Sequence, residues 1–81
     1  MRFAESAYEH GYTKADVTLA LRKRMGDRID YPRRGSRTVV GPDLSGNPIV
    51  VIMNTDENRV YHVYRYEKRY EKVLFRGFRA T

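Results

Sequence analysis

The stretch "SRTVVGPDLSGNPIVVIMNTDENRVYHVYRY", residues 36–66, limits the fold of this chain more than any other. Three runs of β-branched and aromatic residues, "TVV", "IVVIM" and "VYHVYRY", are separated by "GPDLSGNP" and "NTDEN". Those connectors are rich in the Gly, Pro, Asn and Asp that turns require. Parallel strands need a crossover of about a dozen residues or more, so connectors this short allow only antiparallel hairpins. "IVVIM" is apolar on both faces and is expected at the centre of the sheet, with the other two runs beside it. A short edge strand is expected around Ile29 to Tyr31, closed by Pro32 and Gly35.

The part before the sheet has a different period. In "MRFAESAYEHG", Phe3, Ala4, Ala7 and Tyr8 fall on one stripe of a short helix, with Gly11 where a left-handed C-cap would stand. In "GYTKADVTLALRKRMG", Thr13 is an N-cap and Asp16 can return the bond as in a capping box. Tyr12 and Val17 can form a hydrophobic staple. Val17, Ala20, Leu21 and Met25 make the buried stripe and Gly26 ends it, which predicts a helix over residues 13–25. The expected architecture is α+β. Two N-terminal helices (residues 1–26) cover one face of a three- to four-stranded antiparallel meander (27–66), and a basic tail or short helix (67–81) follows.

Eighty-one residues imply one domain with a thin core. The chain has no cysteine, so neither disulfides nor thiolate metal sites can support it. No apolar run approaches the roughly 20 residues of a membrane span, and the start lacks the apolar region of a signal peptide. A cytoplasmic protein with no membrane partner is expected. Sixteen Lys and Arg against ten Asp and Glu give a net charge of +6. That balance favours nucleic acid or an acidic protein as partner.

The charge is concentrated in two segments. Residues 22–37 hold seven basic residues against two aspartates, and residues 65–79 hold six against two glutamates. The second contains the repeated word "RYEKRYEK", residues 65–72, and is interleaved with Tyr61, Tyr64, Tyr66 and Tyr70. Basic side chains grip phosphates and aromatic faces stack unpaired bases, as in single-stranded RNA recognition. The alternative is that the rings pack beside the sheet and the charges are merely solvated. In the repeat, the i, i+4 pairs Arg65 with Arg69, Glu67 with Glu71 and Lys68 with Lys72 are all of like charge, which weakens an isolated helix. The repeat therefore reads as a partner surface, with Tyr66 as the last strand residue.

His10 and His62 are far apart in sequence and no acidic residue joins either at ligand spacing, so no metal site is expected. Alternation along "RVYHVYRY" places His62 with Val60, Tyr64 and Tyr66 on one face, and Tyr61, Val63 and Arg65 on the other. An imidazole among phenols and cations is the set that a metal-free ribonuclease needs. A hydrogen-bonded structural histidine at the sheet edge is the competing reading.

Two stretches together resemble the small actinobacterial and BrnT-like toxins of type II toxin–antitoxin modules. "FAESAYEHGYTKADVTLALR" is similar to their opening, a His-Gly turn followed by a Ser or Thr cap and an acidic helix start. "TVVGPDLSGNPIVVIM" with "VYHVY" is similar to their later hairpin. The matching positions are His10, Gly11, Thr13, Asp16 and Val17, then Gly41, Pro42, Asp43, Gly46, Asn47 and His62. The chain departs from the pattern after His62, where the family's prolines are missing and Arg69 and Tyr70 stand in the place of its Lys and aromatic residue. The acidic residue often found in the family's third strand is also absent from "IVVIM". The resemblance implies a RelE-like ribonuclease fold, metal-independent cleavage of mRNA, on or off the ribosome, with no cofactor, and an antitoxin that masks the basic face.

On these grounds the expected function is a toxin-like endoribonuclease acting through 2′-hydroxyl attack. His62 is its proton-transfer group, Arg37 and Arg65 its cations, and Tyr64 its stacking ring. Arg24, Tyr66, Lys68, Arg69, Tyr70 and Lys72 form the expected RNA surface. The alternative is a non-enzymatic, small basic phage- or plasmid-type protein that binds nucleic acid or a host protein.

Overall fold

The turn chemistry and the apolar runs of residues 36–66 generate three strands, and the flanking segments add two more. The structure, a computed structural model, describes residues 1–30 and 35–76. Strands β1 (Arg2–Phe3), β2 (Gly26–Ile29), β3 (Ser36–Pro42), β4 (Pro48–Asn54) and β5 (Arg59–Arg65) form one sheet in the order β1-β5-β4-β3-β2. Neighbours from β2 to β5 pair antiparallel, while β1 lies parallel to β5. The class is α+β. The sheet is mixed and five-stranded, where an antiparallel sheet of three or four strands was expected. The added strand is possible because Arg2 N and Ala4 N donate to Asn58 O and Val60 O, each at 2.9 Å.

Helix α1 (Lys14–Arg22) starts as its sequence dictates. Thr13 Oγ1 accepts from Asp16 N at 3.2 Å, and Asp16 Oδ2 accepts from Thr13 N at 2.9 Å. The other Asp16 oxygen accepts from Leu44 N at 2.9 Å, which ties the helix start to the β3–β4 turn. The helix ends at Arg22, three residues earlier than expected. Gly26 belongs to β2 instead. It serves there as a point of close approach, where an added Cβ would lie 2.6 Å from Leu74 Cα. The expected first helix is only a 3₁₀ turn, Glu5–Tyr8, because Arg2 and Phe3 are drawn into the sheet. The edge strand lies at 26–29 rather than around 29–31; of that expected strand, Tyr31 falls outside the described residues.

One sheet face packs the helical elements. Ala7, Val17 and Ala20 meet Val39, Ile49, Val51, Met53, Val60 and Val63 there, all buried. Gly41 is what lets α1 sit so close, since a Cβ at that position would meet the Ala20 backbone. Burial of each large aliphatic side chain contributes roughly 1.5–3 kcal/mol. The opposite face carries a smaller cluster, in which Val73 of a second 3₁₀ helix, Lys68–Val73, covers Val40 and Val50. Leu74 then bridges to Gly26, and Phe75 N donates to Met25 O at 2.8 Å. The second copy of the "RYEK" word is thus a short helix strapped onto the sheet, and β5 ends at Arg65 with Tyr66 N still bonded to Pro48 O. Among the described residues no helix is long and apolar enough to cross a membrane.

Candidate nucleic-acid interface

β5 positions most of the residues singled out above, and its register decides which of them meet. Ile52 stands opposite His62, but Met53 stands opposite Val60, so Tyr61 is an extra residue in the ladder. Such a bulge shifts the inside-outside alternation by one. Val60 is therefore buried on the helix face, and the expectation that it shares a face with His62 is corrected. His62 and Tyr64 lie on the opposite face, in line with Ile52 and Val50. Tyr66 packs on the same side as Tyr64, against the Val40–Val50–Val73 cluster.

The rings on this face form a row. His62 and Tyr64 are stacked, with centroids 5.5 Å apart and planes inclined by 20°. Tyr64 also meets His10, 5.1 Å away and tilted by 51°. His10 reaches Tyr64 because the N-terminal 3₁₀ turn runs along the free edge of β5, where Ser6 Oγ donates to Tyr61 O at 2.6 Å. Two imidazoles thus approach one phenol ring, although 52 positions separate them in the chain. Sequence reasoning had assigned His10 no chemical role. Its only signal was the His-Gly word before the Thr13 cap.

The cations divide differently from expectation. Arg37 pairs with Met53 and Arg65 with Ile49, both helix-face residues, so these two guanidinium groups leave the sheet on the side away from His62. Arg37 Nε lies 2.9 Å from Asp27 Oδ1 without the alignment of a hydrogen bond. The same carboxylate holds Arg24 through a 2.6 Å contact to Oδ2, while Arg24 Nε donates to Leu21 O. Arg24 and Arg37 are accordingly engaged in one local ion cluster. Arg65 is exposed and lines a different hollow, of about 280 Å³, with Tyr12, Asn47 and Tyr66.

The basic surface next to the ring row comes from the C-terminal 3₁₀ helix. Lys68, Arg69 and Lys72 are exposed and, with Glu71, line an open depression. Arg69 pairs with Glu67 at 3.2 Å and lies 4.9 Å over the Tyr70 ring, within cation–π range of that aromatic face. Tyr70 itself is half-buried against the sheet. Burial, and secondarily the Glu71 charge, raises the Tyr66 phenol above its ordinary pKa.

Among the described residues no group of three or more His, Asp or Glu is placed to hold a metal ion. Proton transfer by imidazoles and contacts from exposed cations are the chemistry this face offers. Comparison of the chain with protein-family models, with curated proteins and with solved structures finds no match.

Proposed function

We propose that the protein is a toxin-like, metal-independent endoribonuclease whose reaction centre is the row His10, Tyr64 and His62. That row is the observation that carries the reading. RNA cleavage without a metal needs one group to take the 2′-hydroxyl proton and another to supply a proton to the leaving 5′-oxygen. Two histidines whose rings each lie within 5.5 Å of the Tyr64 ring are the candidates for that pair. The 2′-oxygen forms a bond to phosphorus as the bond to the 5′-oxygen breaks, leaving a 2′,3′-cyclic phosphate and a 5′-hydroxyl. Lys68, Arg69 and Lys72 bind the flanking phosphates and Tyr70 supports Arg69. Arg37 and Arg65, on the far face, have no part in this step. The net charge of +6 and the resemblance to type II toxins favour an acidic antitoxin that masks this face.

The separation of Arg37 and Arg65 from His62 favours a second reading, a module that binds single-stranded nucleic acid without cutting it. The two readings part on one experiment. Wild type, His10→Gln and His62→Gln are incubated with labelled RNA, with and without ribosomes and EDTA. Each substitution is expected to slow cleavage about 10²–10⁴-fold while leaving RNA affinity and melting temperature in place. The product ends should be cyclic phosphates, and EDTA should have no effect. Salt-sensitive RNA binding by a wild type that never cleaves refutes the enzyme and leaves the binding module.

A further inference from the structure

The bulge at Tyr61 does more than shift the alternation of β5. A bulge re-aims a side chain and bends its strand, and here it opens a hollow of about 280 Å³ beside His62. Ser36, Ile52, Asn54, Glu57, Tyr61 and His62 line it. Ile52 and the Tyr61 ring are apolar walls, and the Arg59 guanidinium lies 5.4 Å from the Tyr61 centroid. The polar groups are held in place. Tyr61 Oη donates to Glu57, 2.7 Å from Oε2 and 2.9 Å from Oε1. The Glu57 backbone N–H donates to Asn54 Oδ1 at 3.0 Å, which fixes the turn that carries the carboxylate. The Ser6 hydroxyl pins the Tyr61 carbonyl from the chain edge.

We infer that this hollow is the base-selecting subsite of the cleavage centre and that it takes guanine. The inference rests on the cleavage reading and names the substrate that reading leaves open. A carboxylate only accepts hydrogen bonds and has about four lone-pair positions, so one phenol leaves room for more. Guanine alone among the four RNA bases presents two adjacent donors, N1–H and the N2 amino group, which match the two oxygens of one carboxylate. Adenine, cytosine and uracil offer a single donor group beside an acceptor, and that acceptor would face carboxylate oxygen. Ser36 supplies the polar rim for the rest of the base edge, and Ile52 and Tyr61 cover its faces. Because His62 lines the same hollow, a guanine held here places its own ribose and phosphate beside the imidazole.

Matched oligonucleotides carrying G, A, C, U or inosine at one position test this. Cleavage at G is expected to exceed cleavage at A by roughly 10- to 100-fold, the discrimination of one bidentate base contact. Inosine, which lacks the N2 amino group, should fall between them. Glu57→Gln should abolish the preference, so that G and A are cleaved at equal rates. Tyr61→Phe should keep the preference for G, since the carboxylate loses only a donor. Equal rates on all bases, or an unchanged preference in Glu57→Gln, overturns the subsite. A parallel arm needs no cleavage: guanosine 3′-monophosphate and adenosine 3′-monophosphate are titrated into His62→Gln while the Tyr61 ring signals are followed. Selective shifts with the guanine nucleotide support the subsite even if the chain never cuts RNA. Absence of selectivity overturns it whatever the cleavage result.

Discussion

Gly41→Ala probes the contact on which the helix face depends. An added Cβ would lie 2.7 Å from Ala20 Cα, and nearer still to the Ala20 carbonyl oxygen. Carbon atoms are at their optimum about 3.5–4.0 Å apart, so α1 has to retreat by roughly 1 Å. The obstacle is backbone, and no side chain can rotate aside. A gap of about 0.5–1 Å forfeits a quarter to a half of the dispersion well for the atoms that line it. Val17 and Ala20, 1% and 0% exposed, are the residues that lose it. Overpacking of this kind costs about 1–3 kcal/mol, and the rigid obstacle places Gly41→Ala in the upper half of that range. At about 4–8 °C per kcal/mol for a domain of this size, the melting temperature should fall by roughly 10–20 °C. The assay is urea unfolding followed by far-UV circular dichroism, with an unchanged m-value. Gly46→Ala is the control: its φ is +86° but nothing lies within 4 Å of an added Cβ, so it carries only the left-handed penalty of about 1–2 kcal/mol. A Gly41→Ala protein no less stable than the Gly46→Ala protein refutes the close-approach argument.

Two further perturbations address the helix start and the basic strap. Hydrogen bonds from Leu44 N and then Thr13 N hold the Asp16 carboxyl below its ordinary pKa, so the stability it confers is present above the ordinary aspartate range and is lost as pH falls through the lowered value. Asp16→Ala should cost about 0.5–2 kcal/mol at pH 7 and flatten the acid limb of stability against pH; an identical acid limb in both proteins contradicts this. Replacing Lys68, Arg69 and Lys72 together with Ala should flatten the slope of log affinity for single-stranded RNA against log salt by about 2, from roughly 0.7 per phosphate, with little change in melting temperature. An unaltered slope removes the strap from the binding face.

What the sequence made legible is what it stores locally. The Thr13–Asp16 cap and the turn residues near Gly46 and Asn58 act within a few positions of one another, and both glycine and asparagine take the positive φ their turns need. The apolar run "IVVIM" became the third of five strands for the same reason, since both its faces need cover. The misses are all long-range. Nothing near Arg2 and Phe3 announces a parallel partner at Arg59 and Val60. Gly26 has the composition of a helix stop, and only the approach of Val73 and Leu74 reveals its other use. "RVYHVYRY" alternates without a flaw, so the extra residue at Tyr61 is set by pairing with β4 and cannot be read from β5 alone. His62 and Tyr64 were legible as neighbours on one face, whereas His10 enters that site only through the course of the chain along the β5 edge.

The strap formed by residues 68–75 also bears on how copies of this chain behave at high concentration. A sheet grows into aggregates through unpaired edge strands. Here one outer strand is two residues long, and the β5 backbone beyond it is engaged at Tyr61 by the Ser6 hydroxyl. The other outer strand has Leu74 bridged to Gly26 at one end and carries Asp27 and Arg28 in its middle, with Ile29 exposed at the far end. An incoming strand must displace the strap or align beside those charges. Edge-to-edge polymerisation is thereby disfavoured, and a chain truncated before Val73 would lose that protection together with the cover over Val40 and Val50.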